Sequence, residues 1–151
     1  MNERAYAFEE FEGWNQFVLE IKDMDWSIPI REGAWTIHSV VTHILMWDQY
    51  FLEAAIDPIA NHQPVMLKEL DFDAFNQQAA DYGQTLSKEE LIELTQRYRS
   101  NIIDRLKAMD DEWSRSYADG KFTLESYMKD FIWHDQHHRH QIEEIRARQN
   151  A

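Results

Sequence analysis

The sequence predicts an all-α fold, an antiparallel four-helix bundle with a long connection between helices two and three. Glycine and proline are scarce, four and three in 151 residues, which leaves few turn formers for a β fold. Apolar residues recur at spacings of three and four in four separate stretches, the signature of helices that each bury one stripe. Three of those stretches open on a capping residue flanked by paired apolar side chains. The same pattern allows one alternative, a long helical hairpin that completes its bundle by dimerising.

The first helix is expected from about Glu3 to Met24, with Phe11, Trp14, Val18 and Ile21 on its stripe. The segment DWSIPIREGAW then breaks it with Pro29 and Gly33. Thr36 can cap the second helix, and Trp35 and Val40 form a hydrophobic staple around it. Val40, His43, Trp47, Phe51 and Ala54 share a face until Asp57-Pro58 ends the run. A linker containing HQPV follows, and DAFNQQAADY forms a short helix inside this connection. The third helix opens on SKEE, a capping box from Ser87 to Glu90 with Leu86 and Leu91 as staple. Leu91, Leu94, Tyr98, Ile102 and Leu106 carry it to about Met109. The fourth follows Gly120, with Thr123 as cap and Phe122 and Tyr127 as staple, and continues to about Arg148. No composition shift divides the chain, so residues 1–151 read as a single domain.

Composition narrows the function. The chain is 44% hydrophobic and 13% aromatic with six Trp, enough for one core at this length. Its net charge of −13 repels phosphate backbones and anionic lipid surfaces, so neither nucleic acid nor a membrane is expected as partner. No segment approaches the roughly 18 apolar residues of a membrane span. The acidic start MNERAYAFEEFE lacks the apolar core of a signal peptide, so the expected compartment is the cytoplasm. There is no cysteine, which excludes disulfides, thiolate metal sites and a cysteine nucleophile. A metal in this chain must be held by His, Asp or Glu. The acidic pairs at Asp23 and Asp25 and at Asp110 and Asp111 read as solvated helix ends, and Trp14, Trp47, Phe131 and Trp133 as core or pocket wall.

The stretch WHDQHHRH places His134, His137, His138 and His140 within seven positions of the fourth helix. At about 100° per residue, with His134 at zero, His138 falls near 40° and His137 near 300°. Tyr127, Phe131 and Ile145 share that arc, so all three histidines are expected on the inner face. His140 falls on the far side. Two histidines at i and i+4 can converge on one ion, but a tight site needs a third ligand. His43, on the stripe of the second helix, is the best candidate; His38 and His62 are expected to be exposed. The alternative is a set of core histidines hydrogen-bonded to neighbours. That arrangement must satisfy six buried ring nitrogens, whereas a shared divalent ion satisfies three at once and leaves three to donate. No HExxH motif, phosphate loop or nucleophile elbow is present. No general base or other catalytic residue can be assigned.

AWTIHSVVTHILMWDQYF (34–51), HDQHHRHQI (134–142) and the intervening DAFNQQAADYGQTLSKEELIEL together resemble the DinB/YfiT-like superfamily. The likeness covers most of the chain in the right order. It implies a four-helix bundle with an unusual connection between helices two and three. It also implies a divalent ion, nickel or zinc, held by one histidine of helix two and two of helix four. By position these are His43, His134 and His138. The sequence departs from the family in carrying His140 where many relatives have glycine. Some members are thiol S-transferases using thiols such as bacillithiol or mycothiol; others are hydrolases or isomerases, and many are stress-associated proteins. The resemblance therefore implies a metal-dependent thiol S-transferase or hydrolase acting on a small molecule, and a homodimer. The alternative is a non-catalytic metal-binding stress or interaction protein. Because ligation needs neutral rings, the reference histidine pKa of about 6.5 sets the pH below which metal affinity is expected to fall.

Overall fold

The computed structural model describes residues 3–31, 34–65, 71–109, 112, 115, 117 and 123–149. Gly33, Asp110, Asp111, Gly120 and Phe122, used above, lie outside the described residues. Among the described residues six α-helices run in the order α1 (Glu3–Glu20), α2 (Ile37–Phe51), α3 (Asp57–Ala60), α4 (Phe72–Gln84), α5 (Lys88–Lys107) and α6 (Leu124–Gln149). A π-helical turn, Leu52–Ile56, joins α2 to α3. Among the described residues there is no β-strand; an isolated bridge joins Pro29 and Thr36.

Helix α1 stops four residues before the expected Met24. Trp26 folds back into the core, 4% exposed, and its Nε1–H donates to the Ile21 carbonyl at 2.9 Å. That carbonyl is the one a continuing helix would offer to residue 25. The loop then caps α2. Ile28 and Trp26 carbonyls accept from the amides of Ile37 and His38 at 3.0 and 2.9 Å, and Thr36 Oγ1 accepts from Ser39 N at 3.1 Å. Three of the orphan donors of the first turn are thereby satisfied. Trp35 lies with its ring 5.0 Å from that of His43.

Asp57-Pro58 does not end the second helix. The π turn carries the chain on, with Asp57 N–H donating to Leu52 O, and Pro58 falls in the first turn of α3, where its missing amide costs nothing. The stop comes at His62, which has a φ of 56°. Gln63 N donates to Pro58 O at 2.7 Å and His62 N to Ile59 O at 3.2 Å, a Schellman closure with histidine in the place usually taken by glycine.

The expected capping box at Ser87 and Glu90 opens α5. Thr123 accepts from Ser126 N while Ser126 Oγ accepts from Thr123 N, both at 3.0 Å, so α6 begins on a reciprocal cap of the same kind. The core has two halves. One gathers Phe8, Phe11, Phe51, Ile56, Ile102, Leu106, Met128 and Phe131. The other gathers Trp14, Val18, Ile21, Val40, Ile44, Leu91, Ile142 and Ile145. Reading numbers across the halves gives the directions: α1 and α6 run one way, α2 and α5 the other. Helix α2 faces α6 antiparallel, and the long connection carrying α4 lets α2 and α5 run parallel. Among the described residues, no helix is long and apolar enough to cross a membrane.

Candidate metal centre

On α6 the buried residues are Leu124, Met128, Phe131, Asp135, His138, Ile142 and Ile145. Five of these, from Phe131 to Ile145, span about 20–100° on the projection that puts His134 at zero. The arc is therefore centred some 60° away from His134. His134 and His138 stay at its edge and inside it, while His137 swings out of the core. This corrects the inner placement of His137: it is exposed, and its ring stacks on Trp133 at 5.5 Å and 4°. His140 is exposed beside Glu144, and His62 is exposed at its helix end. His38 is only half-exposed, because its Nε2–H donates to the Gly83 carbonyl of α4 at 2.8 Å.

His43, His134 and His138 come together. Each offers a ring nitrogen, and the three atoms lie within 4.8 Å of one another. His134 Nε2 is 3.2 Å from His43 Nε2 and 3.1 Å from His138 Nε2. Ligands about 2.0–2.1 Å from one tetrahedral ion stand roughly 3.3 Å apart, close to these two separations. The protons point the same way. His138 Nδ1–H donates to Gln141 Oε1 at 2.9 Å, which leaves the His138 Nε2 lone pair facing the other two rings. One proton on His134 Nε2 could satisfy only one of its two neighbours; a cation satisfies all three lone pairs.

The electrostatics favour neutral rings. Burial, then the neighbouring His138, lowers His43 to about 4, with Asn76 pulling weakly the other way. Burial and the other histidines, with Arg99 behind them, lower His134 to about 3. Burial also lowers His138. The expected loss of ligation below about pH 6.5 therefore moves to lower pH, because these imidazoles stay deprotonated well below the reference value. His43 Nδ1 and Asn76 Oδ1 are both buried without a hydrogen bond. Asn76 is near enough to favour the protonated ring, yet the pair misses hydrogen-bond geometry. They are a complementary donor and acceptor, and a small shift of His43 toward an ion through Nε2 would leave Nδ1–H for Asn76.

Behind the histidines lies a buried charge cluster. Arg99 is 0% exposed and Asp48 likewise, with Asp135 at 4%. Arg99 Nε and Nη2 donate to Asp48 at 3.1 and 2.8 Å. Nη1 and Nη2 donate to Asp135 at 2.6 and 3.3 Å. Nη1 also reaches the Phe11 carbonyl at 3.1 Å, and the guanidinium lies 4.0 Å over the Phe11 ring. All five donors are used. Burial pushes Asp135 up to about 7 and raises Asp48, with Arg99 opposing in both cases. The sequence signal was there: Asp48 stands four residues after Ile44, Asp135 four after Phe131 and Arg99 three before Ile102, all core positions.

A cavity of about 540 Å³ opens beside the histidines. His43 and His134 form one side, Trp47, Phe72, Phe131 and Trp133 supply aromatic walls, and Asn76, Tyr127 and Asp130 add polar groups. Trp47 packs on Phe75 with ring centroids 4.4 Å apart, so α4 closes the cavity against α2. Trp133 and Phe72, 67% and 62% exposed, form its rim.

Residues 11–142 match the DinB superfamily, and the chain belongs to that superfamily. Among solved structures, YfiT from Bacillus subtilis aligns with a TM-score of 0.74 at 20% sequence identity, over 99% of this chain and 90% of its own. That relative is described as a probable metal-dependent hydrolase with an unusual four-helix bundle topology; the likeness shows the shared fold. No curated protein matches the sequence.

Proposed function

We propose that this member of the DinB superfamily is a metal-dependent enzyme acting on small molecules, with His43, His134 and His138 as ligands and hydrolysis as its first reaction. One observation carries the reading: three imidazoles, two buried and that of His134 half-buried, are held neutral and converge beside a cavity large enough for a substrate. Imidazole donors suit zinc and nickel. A divalent ion there would supply Lewis acidity, lowering the pKa of a water or thiol and polarising an electrophile. The chain's own part is positioning. Gln141 fixes the His138 tautomer, Asn76 is placed to orient His43, and the aromatic walls exclude bulk water. A closed, non-catalytic site would need a fourth protein donor. Among the described residues the cluster is three histidines, and the open side faces the cavity.

Thiol S-transfer is the second reaction the family resemblance supports, and it uses the same ligands. The test is reconstitution. Protein purified without a nickel column is analysed for metal, stripped, and reloaded with zinc or nickel. It is then assayed on activated esters and amides and on electrophiles with and without a low-molecular-weight thiol. Metal-dependent ester or amide cleavage without thiol supports the hydrolase. Consumption of electrophile only with thiol supports the transferase. Equal rates for stripped and loaded protein would refute a catalytic metal.

A further inference from the structure

We infer that the cavity selects a small molecule with an apolar body and a cationic head, the head seated against Asp130. This rests on the cavity being the substrate side of the proposed metal site, and it names the substrate class. Asp130 lines the cavity on α6, one turn before His134. Among the described residues no ion pair engages it, and its neighbour Lys129 pairs with Glu125 at 3.2 Å. Asp130 is exposed, and among the described residues no lysine or arginine lines the cavity, so a carboxylate or phosphate on a ligand would meet its repulsion with no cation beside it. The walls reinforce the preference. Trp47 and Trp133 line the cavity, and indole rings attract ammonium groups and accept an alkyl or aryl body at the same time. The chain's net charge of −13 draws cations toward the mouth and repels anions.

Geometry adds a length. Asp130 and His134 are four residues apart on one helix face, about 6 Å along its axis. The cationic head and the reacting group should therefore be separated by four or five bonds. Thiols that carry several carboxylates fit this cavity poorly, which favours hydrolysis of a cationic amide or ester over transfer from such a thiol.

The test is made on metal-free protein, so that it does not depend on the ion. Benzyltrimethylammonium, which cannot ligate a metal, is titrated calorimetrically into wild type, Asp130→Asn and Asp130→Glu, with benzyl alcohol and phenylacetate as neutral and anionic counterparts. Wild type and Asp130→Glu should bind the ammonium at least about fivefold more tightly than Asp130→Asn does, and more tightly than the other two ligands. Equal ammonium affinity in wild type and Asp130→Asn, or phenylacetate binding as tightly as the cation, would overturn the inference. Zinc titrations of the same proteins separate the two readings. Wild type that takes up no zinc refutes the metal site, while the ammonium ranking still decides the substrate class.

Discussion

Replacing His43 with glutamine removes one titrating group and should flatten the acid response of the metal-free protein by a calculable amount. His43 is 7% exposed, and its pKa is lowered from 6.5 to about 4, first by burial and then by His138. The sign follows from which state takes protons. Above pH 6.5 both folded and unfolded His43 are neutral, and the residue makes no contribution to pH dependence. Below 6.5 the unfolded chain takes up a proton that the folded site refuses, so stability falls, and the loss saturates as pH drops through the folded value near 4. At pH 5 the unfolded residue is about 97% protonated and the folded one about 9%, which makes the loss about 2 kcal/mol relative to pH 8. That figure is insensitive to the folded pKa as long as it lies well under 5. Asp135 acts oppositely, because a raised carboxyl gains a proton in the folded state as pH falls, so the measurement must be a difference between proteins. Urea unfolding of EDTA-treated wild type and His43→Gln at pH 8 and 5 supplies it. Wild type should lose about 2 kcal/mol more than the variant, or about 4–8 °C in Tm. Parallel stability–pH curves, within about 0.5 kcal/mol, would show that folded His43 titrates normally and is not held as a neutral ligand.

Metal affinity should accordingly stay level from pH 8 to about 5 and fall only below that, measured by competition with a chromophoric chelator. His138→Ala should abolish zinc and nickel uptake in elemental analysis while far-UV dichroism stays helical, since the stripe of Leu, Ile and Phe supplies the burial. Arg99→Met should cost about 3–5 kcal/mol in urea unfolding by leaving Asp48 and Asp135 buried without a countercharge. Gly83→Ala should cost about 1–3 kcal/mol, because its Cβ would meet Thr42 Oγ1 at 2.7 Å and Thr42 is fully buried; an unchanged melt would mean that α4 packs on α2 more loosely than described.

What was legible in the sequence follows from how each feature is encoded. The main helices are written in a repeated three-and-four spacing: Phe11, Trp14 and Val18 on α1, Ile21 just past its end, and Leu91, Ile102 and Leu106 on α5 are buried as that spacing marks them, while Trp47, Leu94, Tyr98 and Tyr127 are only half-buried. The meeting of His43, His134 and His138 was legible because i and i+4 on one helix plus one inward histidine on another is a local pattern. The burial of Arg99 was missed because an isolated arginine reads as solvated until two carboxylates from other helices are known to face it. The outward turn of His137 was missed because periodicity gives spacing and leaves the centre of the buried arc to packing. The π turn was missed because it adds no residue type of its own and only changes which carbonyl the next amide meets.

The charge cluster and the histidines belong to one arrangement. Asp48 sits on α2, the helix of His43, and Asp135 on α6 adjoins His134, so a single guanidinium on α5 ties together the two helices that carry the candidate ligands. Buried ion pairs are weak sources of net stability, since desolvation offsets most of the attraction. Their consequence is geometric: five donors on one rigid plane admit few relative positions of α2 and α6. A three-ligand site drawn from two helices needs that restriction, because an ion tolerates only about 0.5 Å of error in donor position. The aromatic face of Phe11 below the guanidinium extends the tie to α1. All four long helices thus hold the register that brings three imidazole nitrogens within reach of one another. The aromatic cavity, with Asp130 among its lining residues, lies beside them.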